Sequence, residues 1–243
     1  MSLTAGPPPE LAADRRERLA DLLAATSPET RARQAQATVL PVLEPLRRLL
    51  PHGGLAKGTV TEATDTSLLL ALAAGPATTD PYAWTAAVGL PDLGLAAAAA
   101  YGLDLKRLLV ADHPGDHYTE VVTALAAACP VVLAAAPTAL APRALERLAA
   151  HLRRTGTILL TPGPWPGAQL RLTVSESRWS GLGEGHGQLT GRRARVAVSG
   201  RGSAARSRSA ELWLPDGTGA VAVVEESAFG VARPEGTAAA AFG

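Results

Sequence analysis

Apolar positions along this chain change their spacing twice, and each change marks a different class of element. From Glu10 to Thr26, Leu11, Leu19, Leu22 and Leu23 recur at helical spacing with Arg15, Arg16 and Arg18 between them, which predicts an amphipathic helix. Ser27 and Pro28 stop it. A second helical segment, Gln36 to Leu50, is interrupted by Pro41 and Pro45. From Gly58 to Thr161 short apolar runs then alternate with helical ones. Extended segments are predicted at Gly58–Glu62, Ala83–Leu90, Arg107–Ala111, Val131–Ala136 and Thr157–Thr161. Helices are predicted between them at Ser67–Ala74, Leu93–Tyr101 (capped by Asp92), Tyr118–Ala128 and Pro142–Arg154. Continuous apolar strands are buried on both faces, and their alternation with helices predicts a parallel, doubly wound sheet. Beyond Gln169 the period becomes two. Leu170, Leu172 and Val174 fall on one face and Arg171 and Thr173 on the other; Arg195–Ser199 and Ala210–Leu214 repeat the pattern, and Ala220–Val224 is a last strand.

The reading is therefore an α/β fold: a mostly parallel sheet flanked by helices, antiparallel strands added at the C-terminal end, and an N-terminal helix. Residues 1–49 form an extension, 50–224 the core and 225–243 a flexible tail rich in Ala, Gly and Pro. Composition agrees, since 47% of the 243 residues are hydrophobic, enough for one sizeable core. The alanine-rich run Leu93–Tyr101 is about half the ~20 residues a membrane helix needs, and charges stand where a signal peptide would be apolar. The expectation is a cytoplasmic protein without a membrane partner. Cys129, the single cysteine, excludes an intramolecular disulfide and a cysteine-rich zinc site, and its apolar neighbours predict a buried, inert thiol.

Net charge is +1, but unevenly spread. Arg143 to Arg208 holds twelve arginines against Glu146, Glu176 and Glu184, an excess of nine, so the rest carries about eight negative charges. Arg192, Arg193, Arg195, Arg201, Arg206 and Arg208 are the candidate contacts for nucleic acid or an acidic protein; solvated arginines are the competing reading.

The segment between the first core strand and its helix carries the chemistry to be explained. In a nucleotide-binding α/β domain a glycine-rich loop here cradles phosphate, with a lysine and the helix N-terminus offsetting the charge. This chain has only Ala63, Thr64, Asp65 and Thr66, with no glycine and no lysine, and Asp65 stands where an anion would sit. Ser67 alone is left of the pattern. Lys57 precedes the strand and belongs at its opposite end.

Other constellations read as structure. Asp112, His113, Asp116 and His117 surround Pro114 and Gly115, a turn of polar groups rather than a metal site. The glycines of GLGEGHGQL mark a hairpin with His186 at its tip. No Gly-x-Ser-x-Gly elbow occurs among the scattered histidines, and His151 is expected to be exposed. Trp84 and Trp213 are expected in the core. Trp165, in TPGPWPG, either stacks on a base or packs locally.

Together these features resemble the RecA-like core, and within it the ImuA family of bacterial SOS-mutagenesis accessory proteins, including the actinobacterial ImuA-prime branch. LPHGGLAKGTVTE is similar to the family's segment before the P-loop, with Gly53, Gly54, Leu55, Gly58 and Glu62 in place. LPDLGLAAAAAYGLDLKRLLVADHPG resembles the segment after the second strand, through Tyr101, Gly102, Leu103 and Asp104. WPGAQLRLTV, GLGEGHGQLTGRRARVAVSGR and LWLP look like ImuA rather than recombinase RecA. The resemblance spans Leu50 to Leu214.

It implies a scaffold in damage-induced mutagenesis that contacts a Y-family-like polymerase protein, ImuB, and an error-prone replicative-type DNA polymerase. Against an active RecA-like ATPase, the P-loop is missing, the magnesium-holding acid falls near Ala135 and the water-polarising glutamate near Leu90 or Pro91. No cofactor, metal or catalytic residue is expected. The alternatives are an atypical RecA-like ATPase, a SulA-like inhibitor of cell division and direct single-stranded DNA binding through the basic half. The helix bearing Leu11 and Leu23 is the expected interface, and the tail from Glu225 a candidate docking peptide.

Overall fold

The computed structural model describes residues 38–136, 140–182, 187–202 and 206–224. The predicted amphipathic helix with Leu11, Leu19, Leu22 and Leu23, the tail from Glu225, and His186 lie outside the described residues.

The elements in chain order are β1 (Val39–Pro41), α1 (Glu44–Arg47), β2 (Gly54–Ala56), β3 (Val60–Ala63), α2 (Thr66–Ala73), β4 (Thr85–Val88), α3 (Leu95–Ala100), β5 (Leu108–Ala111), α4 (Tyr118–Ala126), β6 (Val131–Ala134), α5 (Pro142–Thr155), β7 (Ile158–Thr161), β8 (Leu170–Leu182), β9 (Gly187–Gly200), β10 (Arg208–Trp213) and β11 (Ala222–Val223). Nine strands form one sheet in the order β11-β10-β9-β8-β3-β7-β6-β4-β5. The block from β8 to β5 is parallel, and β9, β10 and β11 continue it antiparallel. The seam is β8, which runs parallel to β3 with Glu62 beside Arg171 and antiparallel to β9 with Leu172 beside Val198. A small antiparallel pair, β1–β2, stands apart.

Two apolar layers sandwich the sheet. On one side lies α2, whose Leu68, Leu69, Leu70 and Leu72 are all buried; a helix apolar all round has no face to give to water. Around it pack Leu46, Leu49, Leu50, Tyr101 and Leu103, with the inner faces of the hairpin strands supplying Leu172, Val196, Val198 and Leu212. On the other side α4 and α5 set Val122, Ala126, Leu148 and Leu152 against Ala86, Val88, Val132 and Leu159, with Cys129 buried among them. Burial raises the Cys129 thiol above its ordinary pKa, as an inert core cysteine requires.

Several expectations change. The described part, 38–50, of the segment read as a broken helix from Gln36 to Leu50 instead forms β1 and the four-residue α1, because Pro41 and Pro45 deny it a continuous helical ladder and Val39–Pro41 pairs with Gly54–Ala56. Its Leu46, Leu49 and Leu50 belong to the main core, so the expected boundary at residue 49 falls inside the folded unit. Helix α3 starts at Leu95 with Gly94 before it and no side-chain cap, so Asp92 does not cap it. Strands β8 and β9 run to 13 and 14 residues, well past the predicted alternation. From Ser175 onward β8 is exposed on both faces, which erases the apolar rhythm that would have revealed it. Trp84, expected in the core, is 38% exposed and lies beneath Arg107, whose guanidinium is 5.8 Å from its ring.

The start of β3 is pinned under the last turn of α5. Gly58 has φ +74°, and a Cβ there would meet the Arg153 Cα at 2.7 Å. Gly58→Ala should therefore cost about 1–3 kcal/mol, lowering the melting temperature by roughly 3–10 °C for a chain of this size. A differential scanning calorimetry trace that superimposes on the parent would show that α5 can withdraw freely.

Candidate functional site

In a doubly wound sheet, ligands bind where strands end and helices begin, so the C-terminal ends of β3, β4 and β6 are the place to look. After β3 the chain passes through Thr64 and Asp65 directly into α2. The Asp65 Oδ1 accepts the Leu68 N–H at 3.1 Å and its backbone carbonyl accepts Leu69 N–H at 2.9 Å, a side-chain N-cap on the first turn. Its Oδ2 lies 2.8 Å from Nη1 of Arg192, which reaches inward from β9. Both side chains are largely buried, Arg192 at 12% and Asp65 at 17% exposure. The guanidinium also lies 5.9 Å from the ring of Trp179.

A second layer backs the pair. Burial pushes the Tyr101 pKa up and the Asp65 carboxylate adds to it, against the pull of the neighbouring Ser67 hydroxyl and Arg192.

The neighbouring strand ends tell the same story. After β4, a depression of about 200 Å³ is lined by Thr66, Leu69, Gly89, Leu90, Pro91, Asp92, Leu93 and Pro162, with Asp92 its one charged group. Ligand sites are usually larger, about 300–1,000 Å³. After β6, Ala135 presents a methyl, and its carbonyl accepts the Tyr118 hydroxyl at 2.7 Å. Burial lifts the Tyr118 pKa well above the ordinary phenol range. Lys57 precedes β3 and stands at the far end of that strand, as expected from its position.

One buried acid carries a role that sequence reading missed. Glu62, at the end of β3 and 2% exposed, accepts the Trp165 backbone N–H at 2.7 Å and the Nε of Arg171. It ties the central strand to the loop after β7 and to the seam strand β8. Being the lone charge in the buried strand VTEA was its available signal. Trp165 itself is 6% exposed within the second core cluster; of its two readings the structure has packing, with no ring face left for a base.

The six candidate arginines do not form one free basic surface. Arg192 is turned inward to Asp65, a correction to its expected role as an outer contact. Arg193 and Arg195 share Glu211, Arg193 Nε at 2.7 Å and Arg195 Nη2 at 2.9 Å, which holds that carboxyl below its ordinary pKa. Arg208 donates to the Leu50 carbonyl at 3.1 Å. Arg201 and Arg206 are exposed and form no ion pair with a described residue. His117 Nδ1 lies 3.0 Å from Glu120 in the polar turn after β5. No group of three or more His, Cys, Asp or Glu among the described residues is placed to hold a metal, and no described helix is long and apolar enough to cross a membrane.

Residues 48–167 match the family described as the MT3502 N-terminal domain. Over 131 residues the chain is 37% identical to the uncharacterized protein Rv3395c of Mycobacterium tuberculosis, a stretch covering 52% of this chain and 63% of that protein. The chain thus spans less than two thirds of that relative. Among solved structures it is similar to the RadB recombinase, with a TM-score of 0.52 and 13% identity, covering 75% of this chain and 97% of that one. At that identity the likeness concerns the fold, which is RecA-like.

The Asp65–Arg192 pair should show as coupling. In urea unfolding, the cycle Asp65→Ala, Arg192→Met and the double variant is expected to give an interaction energy of about 1–2 kcal/mol. Additivity within ~0.3 kcal/mol would mean that the pair contributes nothing. A second expectation concerns alkaline pH. Tyr118 ionises near 10 in the unfolded chain but stays protonated well above that when folded, so its contribution is complete below pH 10 and is lost as pH rises further. Tyr118→Phe should lose about 1 kcal/mol at pH 7, from the bond to Ala135, yet fall less steeply than the parent above pH 10. Parallel stability–pH curves would refute this account.

Proposed function

We propose that this chain is a non-catalytic RecA-like accessory protein of the ImuA type, acting by protein contacts in damage-induced mutagenesis and translesion synthesis. One observation carries the reading: a carboxylate of the chain itself, Asp65, holds the anion position at the α2 N-terminus and is neutralised by Arg192. A bound phosphate would have to displace that carboxylate from the helix N–H groups, leaving Asp65 buried beside another anion. Phosphoryl transfer further needs a metal ligand and a group to orient the nucleophile. Ala135 and Leu90 occupy those strand ends, and Asp92 has no phosphate cradle to act with.

The RecA-like fold and the motifs from Leu50 to Leu214 support the family assignment. The partners proposed are an ImuB-like Y-family protein and an error-prone replicative-type DNA polymerase, met in the cytoplasm through burial of surface and charge complementarity. Exposed Arg201 and Arg206 are the arginines best placed for such a contact, or for DNA.

The test is equilibrium binding of a fluorescent ATP analogue with magnesium at protein concentrations to about 100 μM, where even about −5 kcal/mol registers. No saturable binding is expected. Binding abolished by Ser67→Ala would overturn the non-catalytic reading and favour a nucleotide-responsive switch. A pull-down on the full chain then separates the partner classes: an ImuB-like protein is expected, and a tubulin-like division protein in its place would favour the SulA-like alternative.

A further inference from the structure

Strand β5 ends the sheet, and no described strand pairs with its outer side. Exposed edges in folded proteins are usually blunted by a proline, a bulge or an inward charge. This one, Leu-Leu-Val-Ala, has none of them, and Leu109 and Val110 are 38% and 48% exposed. Its backbone orientation follows from the β4 ladder. Ala111 accepts the Gly89 N–H at 2.9 Å, so Ala111 and Leu109 face β4, and by alternation Leu108 and Val110 direct their N–H and C=O groups outward.

The flanks are charged with opposite sign. At the N-terminal end Lys106 is exposed, and Arg107 is held over Tyr82 at 5.0 Å, beside Asp104 at 3.6 Å. At the C-terminal end stand Asp112 and Asp116, both exposed. Trp84, one residue before the Thr85–Leu108 ladder pair, is 38% exposed and lies 5.8 Å from the Arg107 guanidinium, so the apolar edge continues onto an exposed aromatic surface.

We propose that β5 pairs antiparallel with β5 of a second copy of this chain, about a two-fold axis through Leu109. In an antiparallel ladder, outward-facing residues must oppose outward-facing ones. That sets Leu108 against Val110 of the second copy and Leu109 against itself. Lys106 is then brought to Asp112 of the second copy at both ends. A parallel pairing would instead set basic end against basic end, so charge selects the direction as well as the partner. The contact continues the sheet across the two-fold and places exposed apolar side chains in its centre.

Sedimentation velocity on the full chain from about 1 to 100 μM tests this. A concentration-dependent dimer is expected, lost in Val110→Lys; because Val110 is exposed, that variant should keep the parent circular dichroism spectrum. Lys106→Glu and Asp112→Lys should each weaken the dimer about threefold to tenfold, each change counting twice by symmetry, and the two together should restore it. A monomer at every concentration, a dimer indifferent to Val110→Lys, or a double charge exchange that fails to restore association would each overturn the proposal.

Discussion

The arrangement depends most on the ion pair between Asp65 and Arg192. It sits where β3 hands over to α2, the most completely buried of the described helices, and its two members, Asp65 and Arg192, are far apart in sequence. Asp65 satisfies a helix N-terminus that would otherwise expose unpaired N–H groups inside the protein. Arg192 gives the β8–β9 hairpin a fixed point on the parallel sheet. One contact therefore caps α2 and fastens the C-terminal strands. Removing either partner strands a largely buried charge, so the two residues constrain each other more than either constrains its own element.

A second tie runs in parallel with the first. Glu62 engages Arg171 and the Trp165 backbone, binding the centre of the sheet to its seam and to the loop after β7. Both ties join an acid at the end of β3 to an arginine on β8 or β9. The arginine excess of the C-terminal half is thus partly engaged within the molecule; of the six arginines from Arg192 to Arg208, Arg201 and Arg206 are exposed and form no ion pair or side-chain hydrogen bond with a described residue. Charge counted along a sequence overstates the charge a partner meets, because side chains turned toward buried acids no longer contribute to the outer field.

The parallel core was legible because its strands are buried on both faces and read as unbroken apolar runs; β3 to β7 fall within a few residues of their predicted places. The lack of a glycine-rich loop between β3 and α2 was legible too, since absent glycines and an acid at Asp65 are visible one residue at a time. Pairings between distant residues were not. Nothing local in GRRARV says that Arg192 turns inward while Arg193 and Arg195 turn out; that follows from alternation once the hairpin register is known. The outer half of β8 was hidden because its residues face solvent on both sides and keep no period. Trp84 misled because aromatic size predicts burial, whereas its place beside an edge strand leaves the ring half open.

The seam at β8 also divides the sheet by sequence separation. Its bond to β3 joins residues 109 positions apart, whereas β8, β9 and β10 follow one another and need only short loops to close. Closing long loops is what slows assembly of parallel sheets. The C-terminal meander can therefore zip up early and locally, while the parallel block awaits distant encounters. The seam therefore joins a half built from neighbours in sequence to a half built from distant ones, and the contacts between them carry the largest loop-closure cost in the sheet.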